Sequence, residues 1–267
     1  MKIVISFFIL LFFVSCNSDN KKSKNDISDS DFSNLKTEVN NLKDEIQNLK
    51  KSKSKFWIYY QNDLIFFDSS NFAIKLFSKR PDKQNNQFVI SIPAAFTDDP
   101  KKNSNLIDGY FIENGNLISN DMNTYLSGVC IISKNRPIII PSLNLKQARN
   151  TAVESKSSLF QQFLLLYNHK RISNLEFENK DSSKRKLLRR ALVEIDNQVF
   201  IVESKGQHSI IDFQNLLVSN KVKNAIYLDM GTYSEGWYKN DDGKINSIGE
   251  TMKNTDKQSN WIVFEKM

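Results

Sequence analysis

Histidine and cysteine are nearly missing from this chain, which has 2 of each in 267 residues. A structural zinc site normally draws on four such ligands, and a Ser-His-Asp triad needs a histidine brought to a serine and a carboxylate, so both chemistries have little to work with. Two cysteines also exclude a disulfide scaffold. Glycine (8) and proline (5) are scarce, which excludes a collagen-like or loop-rich disordered chain. What is there is ordinary for a globular protein: 40% hydrophobic and 25% charged positions. A sizeable core is expected, with carboxylates and basic groups as the available chemists.

The net charge is +7 and the pI about 9.2. Lysine is spread along the whole chain and forms no dense block or stripe, so nucleic acid is not expected as a partner. A scattered positive field suits phosphate-bearing substrates.

Met1-Lys2 and the apolar run from Ile3 to Val14 have the length of an export signal and fall short of the ~20 residues that span a bilayer. Phe13-Val14-Ser15-Cys16 follows as a loose bacterial lipoprotein box. Residues 1–15 are therefore expected to be a signal peptide, and Cys16 the lipidated first residue of an exported protein anchored in the cell envelope. The chain from 16 to 31 is almost entirely Asn, Ser, Asp and Lys, a flexible tether. Between 32 and 55, Phe32, Leu35, Val39, Leu42, Ile46 and Leu49 recur at alternating spacings of three and four before a basic linker at Lys50 to Lys55. That pattern predicts a short coiled-coil-like helix, either a homo-oligomerising stalk through residues 32–49 or a lone helix. With Cys16 used for lipid, Cys130 reads as a small buried hydrophobe.

The body, residues 56–267, is a succession of short apolar runs rich in β-branched and aromatic residues: Phe56 to Tyr60, Leu64 to Phe67, Phe88 to Pro93, Tyr110 to Glu113, Gly128 to Ser133, Pro137 to Ile140, Ala191 to Glu194, Val199 to Glu203, Ala225 to Asp229 and Trp261 to Glu265. Helices are expected over Ser157 to Tyr167 and over Ile210 to Asn220, the second capped by Asp212. Many strands with few helices predict an α+β class, a mixed sheet with a few packed helices.

Three stretches hold the chemistry. Leu188 to Ser204 reads as two strands joined by a tight Asp196-Asn197 turn. Ser204-Lys205-Gly206 leads past His208 into the second helix. The run from Lys223 to Trp237 reads as a buried strand ending in a carboxylate, Asp229, before a loop of Gly, Thr, Ser and Glu. A carboxylate at such a strand end is a common way to hold a reactive group on a rigid rim.

Here the sequence resembles the phosphodiester glycosidase family. The resemblance is carried by Arg190-Ala191 opening a hairpin, by the following helix, and by Asn224-Ala225-Ile226-Tyr227-Leu228-Asp229. Upstream, Ala94-Ala95-Phe96-Thr97, Gly109 to Gly115 and Phe160-Gln161-Gln162 look like the family's opening strand, its Gly-Asn hairpin and its glutamine-bearing segment. Met230-Gly231 replaces the two glycines usual after the aspartate, and Ile92-Pro93-Ala94-Ala95 replaces an asparagine-alanine-glycine motif. The resemblance implies a hydrolase that cleaves a sugar-1-phosphodiester, with a glycan or glycosyl phosphate as substrate and no cofactor; calcium stays open, although no stretch has EF-hand spacing.

Such chemistry needs cations on the phosphate and carboxylates at the anomeric carbon. The expected catalytic residues are Asp229 as central carboxylate, Glu235 as the second, and Arg190, which forms an anion clamp with Lys205. Thr232 and Ser234 are expected on sugar hydroxyls or phosphate, with Gln161, Gln162 and Thr97 as further substrate contacts. Plainer roles stand beside these. Asp229 beside glycine is ordinary turn chemistry, Glu194 and Glu203 read either as outward-facing strand positions or as site carboxylates, and of Arg189 and Arg190 one is expected to point inward. A non-catalytic lipoprotein binding an anionic glycan in the same pocket is the alternative function.

Overall fold

The computed structural model of the chain describes residues 36–43, 56–97, 107–173, 185–230, 234–249 and 257–267. The expected signal segment, Cys16, the tether, the basic linker and Thr232 lie outside the described residues. The chain divides into two compact units, Met1–Lys50 and Lys51–Met267. In the first, residues 36–43 form a helix, α1, with every residue exposed, Val39 and Leu42 included. The expected class with a coiled coil is corrected by the β-rich body described below; the rest of the 32–49 heptad stretch lies outside the described residues.

The second unit is woven from seventeen described strands. The chain runs through β1 (Ile58–Gln61), β2 (Leu64–Asp68), β3 (Phe72–Phe77), β4 (Phe88–Pro93), β5 (Tyr110–Glu113), β6 (Asn116–Asn120), β7 (Gly128–Ser133) and β8 (Arg136–Pro141) to the helix α2 (Leu145–Glu154). Next come β9 (Ser158–Gln162), β10 (Leu164–Tyr167), β11 (Lys170–Arg171), β12 (Arg190–Ile195), β13 (Gln198–Ser204) and the helix α3 (Ile210–Ser219). The last strands are β14 (Asn224–Tyr227), β15 (Gly236–Lys239), β16 (Ile245–Ile248) and β17 (Trp261–Lys266).

Tight turns set the register of this β-structure. Asn62-Asp63, Lys134-Asn135, Asn168-His169 and Asp196-Asn197 each place two consecutive residues at positive φ, as does Asn114-Gly115. Two left-handed residues in a row match the twist of the flanking strands, and Asn, Asp and Gly tolerate that conformation best.

Strand pairing is antiparallel throughout and yields three sheets. Sheet I runs β1-β2-β13-β12-β14-β10-β11, sheet II β16-β15-β4-β17-β3, and sheet III β6-β5-β9-β7-β8. The largest core is lined by one face of each sheet, with Leu192, Ile201 and Ile226 from sheet I, Ile90, Ile92 and Phe264 from sheet II, and Phe111, Cys130 and Phe160 from sheet III. The other face of sheet I is covered by α3 through Phe213 and Leu217, each contributing about 1.5–3 kcal/mol by burial. Helix α2 packs on the outer face of sheet III.

The expected α+β class is therefore overturned: this is a β-rich fold of three antiparallel sheets with two helices on its outside among the described residues of the body. The main misreading is Ser157 to Tyr167, expected as a helix and found as β9 and β10. All of β9 is buried, and a strand buried on both faces shows the same unbroken apolar run as a buried helix. The chain leaves sheet III at Gln162 and enters sheet I at Leu164, so this segment stitches the two sheets together.

Candidate functional site

The candidate residues gather at the end of sheet I where β12 begins. Arg190 opposes Glu203 of β13, and on its other side the Leu228 amide donates to the Arg190 carbonyl at 3.0 Å. Asp229 therefore stands one residue past the ladder partner of Arg190. Side chains alternate along a strand, and Leu192 and Ile201 line the core between the sheets, so Arg190 and Glu203, two positions away, face the same interior.

Arg190 is fully buried and nearly saturated. Its Nε and Nη2 donate to Glu203 Oε2 at 2.9 and 2.6 Å, and Nη1 donates to the Ser234 carbonyl at 3.1 Å. A buried guanidinium needs such a partner, since the charge alone is costly to desolvate. Glu203 is thus an inward, paired carboxylate rather than the outward position its strand pattern suggested.

Arg189 is buried as well, on the opposite face. It donates to the His208 and Arg185 carbonyls at 3.0 and 2.7 Å and to the Tyr227 hydroxyl at 3.3 Å. Both arginines point inward, where one was expected to. Burial pushes the Tyr227 phenol up, the Arg189 charge and hydrogen bond draw it back, and Asp229 raises it further, with Arg190 acting the other way. The charges of Arg189, Asp229 and Arg190 are thus all within electrostatic reach of one hydroxyl. Asp229 is buried at 3% exposure and its amide donates to the Ala94 carbonyl at 3.0 Å, tying sheet I to the end of β4. Met230, the departure from the family pattern, joins the apolar cluster under α3.

Other expected site residues are placed differently. Ser234 is buried and presents its carbonyl to Arg190. The Glu235 carboxylate goes to Arg80 (3.1 Å) and Lys83 (3.4 Å) instead of joining Arg190. Lys205 lies with its Nζ 5.0 Å from the centre of the Tyr60 ring, on the β1–β2 hairpin, so the Arg190–Lys205 clamp has no counterpart in these contacts. Thr97 shares its hydroxyl with Gln258 and Ser259, both at 3.2 Å.

The two glutamines divide sharply. Gln161 is a brace, its Oε1 accepting from the Tyr110 amide at 2.7 Å and its Nε2 donating to the Asn123 carbonyl at 3.0 Å. Gln162 accepts from the Phe163 amide at 2.9 Å and keeps a buried Nε2 with no partner among the described residues. Its ladder partner is Gly128 of β7, in sheet III.

At the opposite end of β12, Glu194 is bound by Lys223 and Asn224 at 3.0 and 2.6 Å. It lines a groove of about 1080 Å³ that contains none of Arg190, Glu203 or Asp229. Among the described residues no group of three or more His, Cys, Asp or Glu is placed to hold a metal ion, and no helix is long and apolar enough to cross a membrane.

No protein-family model matches the chain, and no curated protein matches it. Solved structures do. The catalytic domain of zebrafish N-acetylglucosamine-1-phosphodiester α-N-acetylglucosaminidase, in a form auto-inhibited by its pro-peptide, superposes with a TM-score of 0.58 at 11% identity, over 80% of this chain and 83% of that one. The likeness is one of fold. A hypothetical protein from Synechocystis aligns with a TM-score of 0.47 at 10% identity, over 79% of this chain and 61% of its own.

Proposed function

We propose that this protein is an envelope-anchored hydrolase that cleaves glycosyl phosphodiesters. The observation that carries the proposal is the placing of Asp229 one residue past the ladder partner of Arg190, at one end of sheet I, in a fold shared with a glycosidase catalytic domain. In this role Asp229 is the carboxylate that serves the anomeric centre, and the buried cation Arg190 makes the end of the sheet favourable for a phosphate. Ser234, Thr232, Thr97 and Gln162 supply hydrogen bonds to the sugar. A phosphate monoester leaves readily, so strong acid assistance is unnecessary. Lipid on Cys16 places the enzyme at a membrane surface facing its glycan.

The test is release of sugar from phenyl α-glycosyl phosphodiesters by the purified chain. Asp229→Asn is expected to lower turnover about 100-fold or more while the unfolding midpoint stays near that of the parent. Unchanged turnover removes Asp229 from the mechanism. The saturation of Arg190 by Glu203 and Ser234 favours a second function, a lipoprotein that binds an anionic glycan without cleaving it. Glycan binding with no sugar released on prolonged incubation selects that function.

A further inference from the structure

Glu203 is held in an uneven way. Both of its bonds from Arg190 end on Oε2, at 2.9 and 2.6 Å, and Oε1 makes no hydrogen bond among the described residues. An arginine and a carboxylate that serve only to neutralise one another usually engage through two parallel bonds, one to each oxygen. Here the guanidinium grips a single oxygen from the side while Nη1 is turned away to the Ser234 carbonyl. The residue keeps 7% exposure, so Oε1 is not wholly sealed from solvent. A fixed carboxylate with one free, accessible oxygen is what a nucleophile requires.

We infer that Glu203 is the second carboxylate of the site and attacks the anomeric carbon through Oε1, an inference that rests on the glycosyl phosphodiester reading. Glu235 is gripped by one oxygen in the same way, but its cations are the part-exposed Arg80 and Lys83, whereas Glu203 is fixed by Arg190 at the end of sheet I where Asp229 also stands. In the first step the Glu203 Oε1–C1 bond forms and the bond from C1 to the phosphate oxygen breaks. Its electron pair leaves with the phosphate monoester, which departs as a dianion and needs no proton. In the second step water attacks C1, its proton passes to Asp229 and then to solvent, and the glycosyl ester is cleaved to free sugar and the Glu203 carboxylate. The substrate class that follows is a sugar with its anomeric oxygen on phosphate, whose leaving group supplies the driving force that an ordinary glycoside lacks.

Two measurements on the full chain decide this. Glu203→Gln keeps an oxygen to accept from Arg190 but is no nucleophile, so turnover of phenyl α-glycosyl phosphodiesters is expected to fall about 1000-fold or more. Turnover within about threefold of the parent overturns the inference and leaves the hydrolase reading standing. Because that variant also disturbs a buried ion pair, the parent protein is incubated with deoxyfluoro-glucosyl, -mannosyl and -galactosyl fluorides, which trap glycosyl esters, and digested for mass spectrometry. A glycosyl increment on the peptide holding Glu203 supports the inference, and an increment on Asp229 overturns it. If the parent neither turns over any phosphodiester nor accepts a label, the hydrolase reading itself falls, and Glu203 is left as the counter-ion of Arg190.

Discussion

At Gly249 a single hydrogen atom separates the backbone from the centre of the site. A Cβ there would lie 2.3 Å from the Ser234 carbonyl oxygen and 3.1 Å from Arg190 Nη2, and the residue has a φ of +70°. Gly243 is its natural control, with a φ of +76° and nothing within 4 Å of the same position. Gly243→Ala is expected to cost only the left-handed conformation, about 1 kcal/mol. Gly249→Ala adds a collision with backbone that cannot move without breaking the Arg190–Ser234 bond, so its cost should be several-fold larger, about 3 kcal/mol or more. Denaturant unfolding of both variants measures the difference, and equal losses would show that Ser234 gives way freely. Single-residue roles were also the hardest to read in the sequence. Val199 to Glu203 is apolar on both faces, so alternation does not say where Glu203 points, and only its pairing with Arg190 reveals an inward carboxylate. Glu235 sits between small residues that mimic a ligand loop, yet its partners come from Arg80 and Lys83, about 150 positions away, a distance no local pattern conveys.

Elements were far more legible than their residues. Phe88–Pro93, Tyr110–Glu113 and Gly128–Ser133 form strands at the expected bounds because β-branched and aromatic runs between turn residues have few other uses. Helix α2 was missed for an equally physical reason: it buries only Leu145 and Ala152, so it carries no apolar stripe. Helix α3 starts at Ile210 as the sequence predicts, but its capping residue differs. Ser209, not Asp212, is the cap; its hydroxyl accepts from the Asp212 amide at 3.1 Å and donates to the Asp212 carboxylate at 2.7 Å, while Asp212 favours the positive end of the helix dipole. Ser209→Ala should therefore destabilise the protein by about 1 kcal/mol, and Asp212→Ala by less. Thermal unfolding of the two variants checks the order, and the reverse order would return the cap to Asp212. Because α3 covers the face of sheet I that carries Arg189 and Tyr227, the Ser209 variant should loosen that face before the Arg190 face.

For the whole molecule, the chain divides into two compact units, and the proposed attachment point and the proposed site fall in different ones. The body encloses its own core between three sheets, and β17 joins β3 to β4 in sheet II. The anchoring proposed above belongs to the other unit. Each buried CH₂ of an acyl chain contributes about 0.8 kcal/mol, and a single chain holds a protein only marginally, so firm attachment requires more than one chain on Cys16. Cys16→Ser removes the attachment point and leaves every residue of the body unchanged. It is expected to move the protein from the membrane to the soluble fraction of the producing cell, with the unfolding midpoint and the sugar-releasing activity of the body as before. Retention in the membrane fraction would mean that the Ile3 to Val14 run stays uncleaved and is itself the anchor. A lower midpoint would mean instead that the first unit contributes to the stability of the second, and the separation of tether from catalyst would be lost.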